Sequence, residues 1–140
     1  MIDEIKARIA ATVPMLKLVG EAADFQSAVE TNPTLTPACF VYLLEEKPEP
    51  CATGNLLIQR VHAGVGVVLV VKNLKDNKGV AARGDMETLR KLVKAALFGW
   101  QPTTGLDPLE RGNGFLLAFR DGHMWWQDSF LTQYYDRSEL

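Results

Sequence analysis

Residues 114–137 read GFLLAFRDGHMWWQDSFLTQYYDR, two runs of aromatic and aliphatic residues on either side of Asp121-Gly122. Asp-Gly between two such runs signals a two-residue hairpin turn, because both turn positions need a positive φ that these two residues accept. Such a turn sets the register: Arg120 opposite His123, Phe119 opposite Met124, Ala118 opposite Trp125 and Leu117 opposite Trp126. Opposed residues share a face of the sheet.

One face therefore collects Phe115, Leu117, Phe119, Met124, Trp126 and Phe130, with Asp128 as its polar exception. It is the predicted core face, and truncating Trp126 to alanine should cost about 3–5 kcal/mol. The other face collects Leu116, Ala118, Arg120, His123, Trp125, Gln127, Ser129, Leu131 and, if the strand continues, Tyr135. Its apolar centre in a polar surround resembles a partner surface, so Trp125→Ala should spare the fold and weaken assembly. An unbroken strand from His123 to Arg137 would run roughly 50 Å, beyond the usual ~3–10 residues. Either it bends or its far end leaves the domain.

Working outward, CFVYLLEE (39–46) reads as a strand after the proline-broken loop TNPTLTPA (31–38). LLIQRVHAGVGVVLVV (56–71) reads as one long strand bent at Gly64 and Gly66, favoured over two short ones and hairpinned with 39–45. Between them lies the polar connection EKPEPCATGN. Near the N-terminus Ile2, Ile5, Ile9 and Val13 recur every three to four residues, an amphipathic helix limited by Pro14. AADFQSAV (22–29) fits two helical turns or a short strand; abundant alanine and the shared face of Phe25 and Val29 favour helix. METLRKLVKAALF (86–98) is a further helix, with Asp85 as the expected N-cap and Gly99 as its stop. Its apolar stripe is Leu89, Leu92, Val93, Ala96 and Leu97, with Arg90, Lys91 and Lys94 facing outward. The segments 73–84 and 101–113 read as loops. The expected fold class is α+β: a single domain over 1–140, a mainly antiparallel sheet of two hairpins packed against two or three helices.

Composition excludes several classes of function. Lys and Arg number 15 against 17 Asp and Glu, a formal charge of −2 that lacks the positive excess expected of a phosphate-backbone binder. The longest apolar run, Val65 to Val71, is far short of the roughly 20 residues that span a bilayer. The start MIDEIKARIA has early acids and no apolar signal core, so export by a cleaved signal peptide is not expected and a cytoplasmic origin is. Cys39, Cys51, His62 and His123 show no zinc-ligand spacing, and the cysteines are expected to be structural thiols. AGVGVV (63–68) lacks a third glycine and leads into a strand, not the helix N-terminus that holds a pyrophosphate. Glu45 and Glu46 point to opposite sides of a strand end and suit solvent better than acid-base work. Arg83-Gly84-Asp85 is explained by a glycine turn and a helix cap. No catalytic motif appears, and no cofactor or metal is expected.

The strand ending VVLVVKN (67–73), the helix closing on AALFGWQP (95–102) and the segment PLERGNGFLLAFRDGHMWWQDSFLTQYYD (108–136) together resemble the tail terminator, or tail completion, proteins of long-tailed bacteriophages and prophages. The resemblance covers most of the chain, clearest from Pro37 to Asp136. It implies a structural virion protein and no enzyme: a ring, hexameric on the tail, that caps the head-proximal end of the tail tube and joins tail to head. It implies as partners further copies of the chain, the tail tube protein and a head-completion protein, with DNA passing through the lumen without specific binding and no membrane involved. Assembly in the host cytoplasm and residence in the virion follow from the same resemblance. Other neck, connector or tube-associated phage proteins are the alternative, and a small ligand-binding or enzymatic α+β domain with Trp125 as pocket wall is a further one.

The resemblance transfers no set of functional residues, so the interface is drawn from physics. Trp125, Leu131, Tyr135, Leu116, Arg120 and His123 are the expected contact residues, because aromatic anchors dominate interface energetics. A ring needs a heterologous contact, and the loops 46–54 and 73–83 are candidates for the complementary patch or for the tube.

Overall fold

The computed structural model describes residues 1–51, 56–75, 77–103 and 106–138. Its architecture is α+β: three helices and one sheet of six strands among the described residues. In chain order these are α1 (Ile2–Thr12), β1 (Leu18–Gly20), α2 (Ala22–Thr31), β2 (Ala38–Pro48), β3 (Ile58–Lys72), α3 (Val80–Leu97), β4 (Glu110–Arg111), β5 (Phe115–Arg120) and β6 (His123–Arg137). The sheet runs β1-β2-β3-β6-β4, with β5 also pairing β6. Only β1 and β2 pair parallel; every other pair is antiparallel.

Helices cover both faces, so alternate residues of the central strands feed two separate apolar clusters. On one side Val65, Val67, Leu69 and Val71 of β3 meet Ile5 and Ile9 of α1 and Leu89, Val93 and Leu97 of α3. On the other, Val68 and Val70 join Ala38, Phe40 and Trp125 beneath Phe25 and Ala28 of α2. This two-sided burial makes β3 read as a near-continuous apolar run instead of an alternating one.

The helices at 2–12 and 22–31 form as expected. Asp3 and Glu4 occupy the first turn of α1, where the helix dipole favours acids. Glu21 and Asp24 close a capping box on α2, with the Glu21 amide donating to Asp24 Oδ2 at 2.9 Å. α3, however, starts at Val80, five residues before the expected cap. Ala81 and Ala82 extend the helix readily, and Ala82 is buried, so packing draws the chain into helix early. Asp85 therefore lies inside α3, where its carboxylate accepts from Asn73 Nδ2 at 2.7 Å, and Arg83-Gly84-Asp85 is helical and not a turn. Gly99, at φ 81, ends the helix as expected.

The Asp121-Gly122 turn is present with φ of 52 and 70, and the first three predicted pairs hold. The fourth does not. A bulge at Leu117 shifts the ladder so that Leu116 opposes Trp126 and Phe115 opposes Gln127. Likewise the bend expected in β3 lies in its partner: β2 is shifted by one residue at Leu44, between Leu43↔Val65 and Glu45↔Gly64. β3 itself pairs with β6 without interruption from Ile58↔Arg137 to Lys72↔His123. Its 15 residues and the 15 of β6 run past the buried clusters, and with the end of β2 they form an arm whose residues at 45–48, 58–60 and 133–137 are half-buried or exposed.

Candidate assembly surface

The one acid on the core face shows how the hairpin is anchored. Asp128, 7% exposed, receives two hydrogen bonds from Arg90 of α3, from Nε at 3.0 Å and Nη2 at 2.9 Å. Trp126 Nε1 donates to the same carboxylate at 3.0 Å, and the Arg90 guanidinium lies 4.3 Å above the Trp126 ring. A carboxylate this buried is tolerable only when paired and hydrogen-bonded, and Arg90 supplies both. Gly114 lets the chain pass: a Cβ there would sit 2.5 Å from Asp128 Oδ1. Arg90 is therefore not the outward-facing charge expected from its helix position. Lys91, Lys94, Arg111 and Glu87 border the same cleft, of about 320 Å³.

The expected interface residues separate into two groups. Trp125 is 2% exposed: α2 covers it, with Phe25 edge-on at 6.1 Å and Phe40 stacked at 6.4 Å. Arg120 lies over the same ring at 5.4 Å, and its guanidinium donates to Asn32 Oδ1 at 3.2 Å and to the Val29 carbonyl, which ties the hairpin to the end of α2. His123 is 7% exposed, and its Nδ1–H donates to the Asp121 carbonyl at 2.9 Å. Trp125 and His123 are thus buried within their own chain, against the expectation of a partner surface, because α2 supplies the cover that an isolated hairpin would lack; Arg120, although it contacts α2, stays exposed.

Leu131, Tyr135 and Leu116 remain open, at 42%, 58% and 52% exposure. The Leu117 bulge moves Leu116 to the Trp126 side and brings Phe115 to the Gln127 side. α2 covers only the first half of the sheet face that carries Trp125. At the boundary the Tyr42 hydroxyl donates to Gln127 Oε1 at 2.7 Å, and burial pushes the Tyr42 phenol pKa up. Beyond it lies a groove of about 470 Å³ over Gly64, walled by Leu44, Phe115 and Leu131 and floored by Gln127 and Ser129. Leu44 was not singled out from the sequence, and Phe115, expected on the core face, is 47% exposed; the bulges at Leu44 and Leu117 bring both to this groove.

The candidate loops are only partly loops. Residues 46–48 extend β2 and 80–83 begin α3, while 52–55 and 76 lie outside the described residues.

Chemistry finds little purchase. His62 Nε2 pairs with Glu49 at 2.7 Å on the surface. Cys39 is fully buried, which pushes its thiol up to about 12, and Cys51 is half-buried with its thiol donating to the Leu56 carbonyl at 3.4 Å. Among the described residues no cluster of His, Cys, Asp or Glu is placed to hold a metal, and no helix is long and apolar enough to cross a membrane. What the described surface offers is a groove with apolar walls and a polar floor, an extended arm and a cationic cleft.

Comparison with known proteins agrees with that character. The family model described as "Phage tail terminator protein" matches residues 2–139. Among solved structures, the fold is similar to a chain of the "Virion of native gene transfer agent (GTA) particle", with a TM-score of 0.52 and 12% identity over 94% of this chain and 84% of that one. No curated protein matches the sequence. The family match spans nearly the whole sequence, and the chain belongs to the phage tail terminator family, whose members are structural tail proteins.

Proposed function

We propose that this protein ends the growth of a phage tail tube. Copies assemble into a ring, hexameric on the tail, at the head-proximal end of the tube. The ring occupies the surface where the next tube subunit would add and offers its far side to a head-completion protein. The role is structural and not catalytic, and assembly takes place in the host cytoplasm before the protein becomes part of the virion. The family match over residues 2–139 is the observation that carries this proposal.

Physical features of the subunit support it. An uncovered apolar groove and a long arm on one small subunit are what a ring member needs, since a heterologous contact joins two different patches of the same chain. The half-open sheet face leaves Leu131 and Tyr135 for such a contact. A formal charge of −2 suits a lumen through which DNA slides, because a strongly basic channel would hold the phosphates.

The genetic test is deletion of this gene from the phage or prophage that encodes it, followed by electron microscopy of the lysate. Overlong tubes detached from heads are expected. Tails of normal length joined to heads would refute the terminator role.

A further inference from the structure

The groove and the arm belong to the same sheet face. Across the sheet, one row on that face runs Glu110, Leu131, Gly64, Glu45 through β4, β6, β3 and β2. It places an apolar dip between two acids; Glu110 is exposed, and Glu45 lies 3.5 Å from Lys47, both largely in solvent. Farther along β6 every second residue returns to that face. There Tyr135 pairs with Arg60, and Arg137 pairs with Ile58. The arm tip therefore shows an exposed tyrosine beside two cations, with one acid, Glu49, next to Arg60 and already paired with His62 at 2.7 Å. Among the described residues Arg60 Nε is buried without a hydrogen-bond partner.

Groove and tip complement each other, apolar centre to apolar centre and acids to arginines, yet they cannot meet within one chain. Four strand residues separate Leu131 from Tyr135, about 13 Å, and the unbroken β3–β6 ladder holds that spacing. Only another copy can bring a tip to a groove.

We propose that in the ring the arm tip of one subunit, Tyr135 with Arg60 and Arg137, seats in the neighbour's groove at Leu131 and Glu110. This assignment rests on the ring reading given above and names its contact. Each subunit gives its tip to one neighbour and receives the tip of the other, so the contact propagates head-to-tail until the ring closes.

Cysteine crosslinking tests it. Leu131→Cys and Tyr135→Cys, both at exposed sites, are made in separate chains and together in one chain, incubated with tail tube subunits and treated with a short bismaleimide. Wild-type protein serves as control for Cys51, which is half-buried. An equimolar mixture of the two single variants should give roughly tenfold more two-chain product than either variant alone, because docking raises the local thiol concentration. The double variant should give a ladder of products ending at the closed ring. Absence of product in the mixture, or equal product from one variant alone, would overturn the contact. A double variant that stops at two chains would overturn the head-to-tail arrangement in favour of a two-fold pair. Tube capping without these crosslinks would leave the terminator role standing and remove this contact; crosslinks without capping would do the reverse.

Discussion

Trp125 and Trp126 are neighbours in β6 that serve opposite sides of the sheet: Trp125 is sealed beneath α2, whereas Trp126 is half-buried under the Arg90 guanidinium, 4.3 Å above its ring. An aromatic pair on both faces of one strand is thus explained by two coverings within one subunit.

It follows that Trp125→Ala is the more damaging of the two truncations. It removes a fully buried indole and should cost about 3–5 kcal/mol, while Trp126→Ala, at a partly solvated site, should cost about 1–2 kcal/mol. Urea unfolding of both variants checks the order, and equal or reversed losses would mean that α2 does not seal Trp125.

Removing the carboxylate of Asp128 strands two partners at once. Asp128→Ala leaves the Arg90 guanidinium and the Trp126 indole N–H without their acceptor, a loss of about 3 kcal/mol. Asp128→Asn retains an acceptor and should lose less than Asp128→Ala in the same unfolding assay. An unchanged midpoint in Asp128→Ala would show the pair to be ornamental.

The arm carries its own titration signature. Tyr134 donates to Glu46 Oε1 at 2.7 Å, and that hydrogen bond, with smaller contributions from burial and from the Glu46 and Asp136 charges, pushes its phenol up to about 12. The ordinary value is about 10. The folded state thus holds this proton where the unfolded chain has lost it. The stabilisation is fully present below the ordinary value and disappears as pH rises through the folded one. Tyrosinate absorbance should show two late ionisations, of Tyr134 and of half-buried Tyr42; Tyr134→Phe should remove one of them, and survival of both in that variant would place the second late group elsewhere.

Cys39 is fully buried with its thiol pushed up to about 12, so it has almost no thiolate at neutral pH. In native protein a disulfide reagent should modify Cys51 alone, with Cys39 reacting only on the timescale of global unfolding. Fast reaction of both thiols would indicate a loosened core between β2 and β3.

Much of the fold was legible because its signals are local. Asp121-Gly122 prescribes its turn within two residues, and the spacing of Ile5 and Ile9 prescribes a helix face. The failures are equally physical. The bulges at Leu44 and Leu117 are decided by how three strands fit together, and neither residue has a turn-forming side chain to announce it. Whether a strand face meets water or a helix depends on where α2 docks, a tertiary choice that buried Trp125 and His123 and left Arg120 exposed at the end of that helix. Leu131 and Tyr135 stayed exposed because they lie beyond the reach of that ten-residue helix. The partner of Asp128 was half visible: an acid on a core face demands a cation, but nothing in sequence spacing singles out Arg90 among the three cations in that half of α3.

The most direct measurement is tube length in vitro. Tail tube subunits from the same phage are polymerised with increasing amounts of this protein, and negative-stain images are scored for length and for density at each end. The terminator account predicts tubes that shorten as the protein is added, each with extra density at one end only. Tubes of undiminished length with two bare ends would contradict it.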